Sequence, residues 1–284
     1  MNSKSPDRAN FSYLFSISII ASLGGLMFGF DIAIISGTVP FIKDYFGLTE
    51  LQLGWGVSSL LVGCIVGAMF AGNLADHYGR KRMLIITALF FAVSCAATGL
   101  ATDFTFFYSM RIFGGLAVGS ASALSPMYIS EVSPSKYRGR MVVLYQMSIV
   151  VGILISYIVN YLLHDIGENN WRWMFASGTV PSVIFFALLF IVPKSPRWLY
   201  KEGYTNEAYN ILQRIGGSIN ANYEIAEIKE SLKQAHARFR ELFQPGLRRV
   251  MIIGIVLAVF VQMTGINTII DYAPKVLKDV GLEV

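Results

Sequence analysis

The sequence predicts an all-α membrane protein, and three observations carry that prediction. Hydrophobic residues make up 54% of the 284 and charged residues only 14%, against roughly 25% charged in a soluble domain. The mean hydropathy is +0.54. The apolar residues also come in blocks of about twenty, the length that crosses a bilayer core of roughly 30 Å. Blocks of that length without a period of two are helices rather than strands.

Seven blocks follow in order, at 12–38, 52–75, 83–102, 105–129, 141–163, 173–192 and 249–273. The first is too long for a signal peptide, lacks a small-residue cleavage site and contains an acid, so it is read as a retained helix. Loops among the first six blocks are short. Residues 193–248 form the one long polar segment, with two amphipathic stretches. The first, 205–214, opens on Thr205 as an N-cap, and the second, 222–242, places Tyr223, Ile225, Ile228 and Leu232 at helical spacing. These are expected as short helices against the membrane face, serving either as a tether or as a gate. The basic turns GRKR (79–82) and YRGR (137–140) follow the second and fourth blocks, a repeat that fits a three-plus-three arrangement. The expected organisation is a six-helix bundle over 1–192, a cytoplasmic linker over 193–248, and a seventh helix over 249–284.

Basic residues set the orientation. With the N-terminus inside, the inner segments hold Lys4, Arg8, Arg80, Lys81, Arg82, Lys136, Arg138, Arg140 and ten more between 193 and 250. The outer segments hold only Lys43, Arg172, Lys275 and Lys278. The net charge of +5 is mostly this bias, so no nucleic-acid partner is expected. Cys64 and Cys95 lie inside blocks, which argues against a disulfide framework. His77, His164 and His236 have no metal-ligand spacing, and no phosphate loop is present. No metal, cofactor or enzymatic activity is expected.

Ionisable groups in a bilayer cost about 2.5–3.5 kcal/mol each on insertion scales, so each needs a reason. Asp31 stands in the first block and Arg111 in the fourth, and such a pair offsets its desolvation only by meeting. Two readings stay open. The pair is either a fixed tie between helices, or a proton switch in which a carboxylate ionised beside Arg111 takes up a proton when drawn away. Gly24, Gly25, Gly29 and Gly37 around Asp31 allow close packing and bending. Gln146 in the fifth block, and Gln262 and Asn267 in the seventh, each offer a donor and an acceptor. They either bind helices together or, with Phe28 and Tyr272, form a site for a neutral polyol. Gly265 between the two seventh-block amides predicts an irregular helix there. Asp271 is either solvated or lines an outer vestibule.

Five segments carry a resemblance. GNLADHYGRKR (72–82), PMYISEVSPSKYRGR (126–140), GGLMFGFDIAIISG (24–37), PKSPRWL (193–199) and QMTGINTIIDYAP (262–274) resemble, in order, motifs of the sugar porter family of the major facilitator superfamily. The resemblance implies the superfamily fold: an N-terminal six-helix bundle, cytoplasmic helices, and the first helix of a C-terminal bundle. It implies transport of a monosaccharide, hexose or pentose, by proton symport through alternating access in the cell membrane. By that resemblance Phe28, Gln146, Gln262, Asn267 and Tyr272 contact sugar, Asp31 and Arg111 couple the proton, and Asp76, Arg80, Glu131, Arg138, Arg140 and Arg197 form a cytoplasmic latch.

The sequence departs from the family pattern at three positions. Val261 replaces the first of two glutamines, Asp271 the first of two tyrosines, and Lys194 the customary glutamate after helix 6. Loss of one amide bond to sugar costs on the order of 1 kcal/mol. Family members have twelve helices, so helices 8–12 are expected to be missing from this chain. The alternative reading is therefore a non-transporting truncated or degenerate fragment of a symporter.

Overall fold

The computed structural model describes residues 10–233, 245–266 and 269–270, which form helices joined by turns and loops, with no strand among them. Six spans among the described residues are long and apolar enough to cross a membrane: α1 (Phe11–Phe46), α2 (Glu50–Tyr78), α3 (Arg80–Gly99), α4 (Phe104–Val132), α5 (Arg138–Leu163), and α6 (Asn170–Ser177) together with α7 (Thr179–Leu189). Beyond them lie α8 (Pro196–Lys201), α9 (Thr205–Lys233) and α10 (Pro245–Met263).

Local chemistry sets most boundaries. Asn10 caps α1 by accepting from the Tyr13 amide, Thr49 and Gln52 form a reciprocal capping box on α2, and Asp103 caps α4. α1 runs two turns past its predicted end and through Pro40, because Val39 and Ile42 are still buried. It stops at Gly47, whose φ of 61° suits glycine. The sixth span breaks at Gly178, where Pro181 offers no amide to the Ser177 carbonyl. α9 joins the first predicted amphipathic stretch to 222–233 of the second across a kink at Gly217 (φ 83°), and 234–242 lie outside the described residues. Thr205 is its first helical residue rather than its cap, and the Tyr204 carbonyl accepts the first helical bond. α10 covers the predicted seventh span as far as Met263; Ile266, Ile269 and Ile270 past it are again helical, and 267–268 and 271–273 lie outside the described residues. Gly265, with φ 70°, turns the chain after Met263, at the predicted irregularity.

α1 packs most extensively on α5, and α2 on α4. Both contacts bring backbones together through missing side chains. A Cβ on Gly63 or Gly67 of α2 would run into the carbonyls of Ile112 or Leu116, and one on Gly29 of α1 into that of Ile149. Among the described residues, besides two small clusters at α8 and α9, the core of the six spans has two clusters. One gathers Leu14, Met27, Phe91, Leu124, Tyr128 and Phe185. The other gathers Phe30, Ile34, Phe107, Trp171 and Phe175. α2 and α5 leave Ile65, Met69, Phe70, Leu154 and Ile158 exposed, the surface expected of helices facing lipid or another apolar partner.

Candidate functional site

Asp31 and Arg111 meet between the two core clusters. An Arg111 guanidinium nitrogen donates to Asp31 Oδ1 at 2.7 Å, and the two residues are only 3% and 2% exposed. Asp31 is presented by α1 and Arg111 by α4, so the bond crosses from the α1–α5 pair to the α2–α4 pair. Arg111 also lies over the Phe175 ring, 5.3 Å from its centroid. Asp31 Oδ2 and Arg111 Nε have no hydrogen-bond partner among the described residues. A charge pair this dry is held by its mutual attraction, and neutralising either member leaves the other charge buried alone.

The residues expected to contact sugar are placed differently. Phe28 is half-buried and packs on the first core cluster. Gln146 on α5 is exposed, as is Gln262 near the end of α10. Next to Gln146, Tyr145 turns inward against Gly25, and a turn further along Ser148 shares a 2.8 Å bond with Ser22 of α1. Asn267, Asp271 and Tyr272 lie outside the described residues.

A second constellation sits where α2–α3, α4–α5 and α8–α9 converge. Arg80, 7% exposed at its side chain, bonds Asp76 at 2.7 Å, Glu131 at 3.0 Å and the Ala75 carbonyl at 3.1 Å. The other oxygen of Glu131 accepts from Ser195 Oγ at 2.5 Å. Arg138 donates to the Ser130 carbonyl and stands 3.7 Å from Glu224 of α9. Arg197 and Arg138 line a cavity of about 150 Å³ with Glu131, Glu224 and Glu227. Arg140 is exposed and makes no ion pair among the described residues. Lys194 pairs with Glu207 of α9 at 3.2 Å, so its reversed charge finds its own partner.

Sequence reasoning passed over two members of this network. Ser195 reads as a cap for α8, and does accept from the Trp198 amide, while also gripping Glu131. Glu224 reads as the polar face of an amphipathic helix, yet it is buried and accepts from the Ser135 amide and hydroxyl at 3.1 and 3.2 Å. No sequence signal marked either contact, since both cross long stretches of chain. Among the described residues, no group of three His, Cys, Asp or Glu is arranged to hold a metal.

Comparisons with known proteins agree on one family. The family described as "Sugar (and other) transporter" matches residues 17–284. The arabinose-proton symporter of Bacillus subtilis is 42% identical over 95% of this chain and 60% of its own length. The D-xylose-proton symporter of Escherichia coli is 39% identical over 96% of this chain and 62% of its own. The solved structure of the xylose transporter XylE from E. coli, partially occluded and inward open, superposes with a TM-score of 0.85. It is 37% identical, over 94% of this chain and 67% of that one. The chain thus spans about three fifths of the length of these sequence relatives.

Proposed function

The chain belongs to the sugar transporter family of the major facilitator superfamily, and from that premise we propose that it moves a monosaccharide, hexose or pentose, together with a proton. The Asp31–Arg111 pair carries this reading. Two charges with almost no exposure, on helices of different packing pairs, form a group whose protonation alters how those pairs are tied. The arabinose-proton and D-xylose-proton symporters among the relatives support it by their names.

Phe28, Gln146 and Gln262, with Asn267 and Tyr272 beyond the described residues, are the sugar contacts in this reading. Amides that can both donate and accept suit hydroxyls. Residues 1–192, which include α1 to α7, form one half of an alternating-access cavity, 193–248 connects the halves, and 249–284, with most of α10, opens the second. The N-terminus is cytoplasmic in the cell membrane, which puts the latch of Asp76, Arg80, Glu131, Arg138, Arg140 and Arg197 on the inner face.

The test is uptake of labelled xylose, arabinose and glucose into membrane vesicles carrying the protein, with and without an inward proton gradient. Accumulation should require the gradient, and Asp31→Asn should abolish accumulation while sparing exchange of sugar across the membrane. Accumulation that persists after the gradient is collapsed, or in Asp31→Asn, refutes proton symport.

A further inference from the structure

When Asp31 takes a proton, Arg111 loses its counter-ion inside the bundle. Arg111 is 2% exposed, and its Nε already has no acceptor among the described residues. A buried cation left alone would oppose protonation strongly. Something nearby has to offer it negative potential in that state.

The surrounding helices narrow the choice. α1 contributes Asp31 itself. α2 and α3 contribute Cys64 and Cys95, thiols within electrostatic range of both Asp31 and Arg111. α5 contributes Tyr145, within electrostatic range of Cys64. The charged group of α6, Arg172, is engaged with the Gly99 carbonyl and the Tyr45 hydroxyl. α6 instead presents the ring of Phe175, 2% exposed, with the Arg111 guanidinium 5.3 Å from its centroid. An aromatic face carries negative potential and attracts a guanidinium most when both are shielded from water.

We propose that Phe175 is a positioning residue for Arg111, its ring face holding the guanidinium during the part of the cycle in which Asp31 carries a proton. The proposal rests on the reading of Asp31 as proton carrier and deepens it. In the charged state Arg111 is shared between carboxylate and ring. In the protonated state the ring keeps it in place, ready to recapture Asp31 when the proton leaves. Phe175 is itself fixed by Phe107, whose ring meets it edge-on at 5.4 Å, and by the break after Ser177 that ends α6.

The test follows the protonated carboxyl band of Asp31 by infrared difference spectroscopy, on the full chain in lipid bilayers, as a function of pH. It needs no transport. Asp31→Asn assigns the band, and a titrating band absent in that variant is expected. If wild type shows no such band, the proton-carrier reading fails and takes this inference with it. If the band titrates, Phe175→Leu should shift its midpoint toward acid by about one pH unit, a tenfold change in proton affinity. Because leucine also alters packing, 4-fluoro- and 3,4,5-trifluorophenylalanine are placed at position 175, keeping the shape of the ring while draining its negative face. The midpoint should move toward acid in step with fluorination. A midpoint unchanged across the series, or moved by leucine but not by fluorination, overturns the role assigned to the ring.

Discussion

Arg80 shows how much one side chain can bind together when it is held out of water. Its guanidinium reaches Asp76 on α2, Glu131 on α4 and a backbone carbonyl, and Glu131 in turn grips Ser195 ahead of α8. The Arg80 and Glu131 side chains are 7% and 8% exposed, so removing one partner strands the other. Arg80→Met should therefore lower the stability of the detergent-solubilised chain by roughly 3–5 kcal/mol. The double variant Arg80→Met/Glu131→Leu should recover part of that loss, because the charge that remains, on Asp76, is exposed to solvent rather than buried. Thermal unfolding of the four proteins checks this, and a double variant as unstable as the sum of the singles counts against it. Arg80 and Glu131 were legible in the sequence through their motifs, and Asp31 and Arg111 through being charged residues in apolar blocks. Ser195 was not, because a serine before a short helix is already explained as a cap.

At the scale of elements, α9 straps the bundle at two places. The Ile215 carbonyl accepts from the Asn10 amide at the start of α1, and Arg214 stacks on Tyr13 at 4.2 Å. Farther along, Glu224 receives the α4–α5 turn through Ser135 and Arg138. The kink at Gly217 (φ 83°, ψ 173°) sits between the two sites. That backbone region is essentially restricted to glycine, so Gly217→Ala should cost on the order of 1–3 kcal/mol. The loss should fall on α9 alone. Amide hydrogen exchange over 221–231 should quicken while α2 and α4 stay protected, and unchanged exchange over 221–231 would show that the kink does not hold the strap. The amphipathic pattern announced both halves of α9. It could not announce the kink, since the two docking surfaces are supplied by residues far away in the chain, Asn10 and Tyr13 at one site and Ser135 and Arg138 at the other.

The most extensive contacts of the bundle are two glycine-mediated pairs, α1 with α5 and α2 with α4, and the Asp31–Arg111 bond is a buried charged tie between them. The periodicity of apolar blocks specified the helices. The pairing was visible only as a scatter of glycines, because which backbone each glycine admits depends on three-dimensional register. The tie and the proton switch, both open from sequence, now separate by experiment. Asp31→Asn leaves Arg111 buried without a counter-ion and should destabilise the chain by roughly 3–5 kcal/mol, as should Arg111→Leu for the opposite reason. Asp31→Asn together with Arg111→Gln removes both charges while keeping polar groups of similar size, and should restore most of the stability. If the pair were only a tie, this neutral double variant would also keep proton-driven accumulation of sugar. As a proton site, it should fold with a thermal midpoint near wild type and still fail to accumulate sugar against a gradient, because the carboxyl group that takes up and releases the proton is gone.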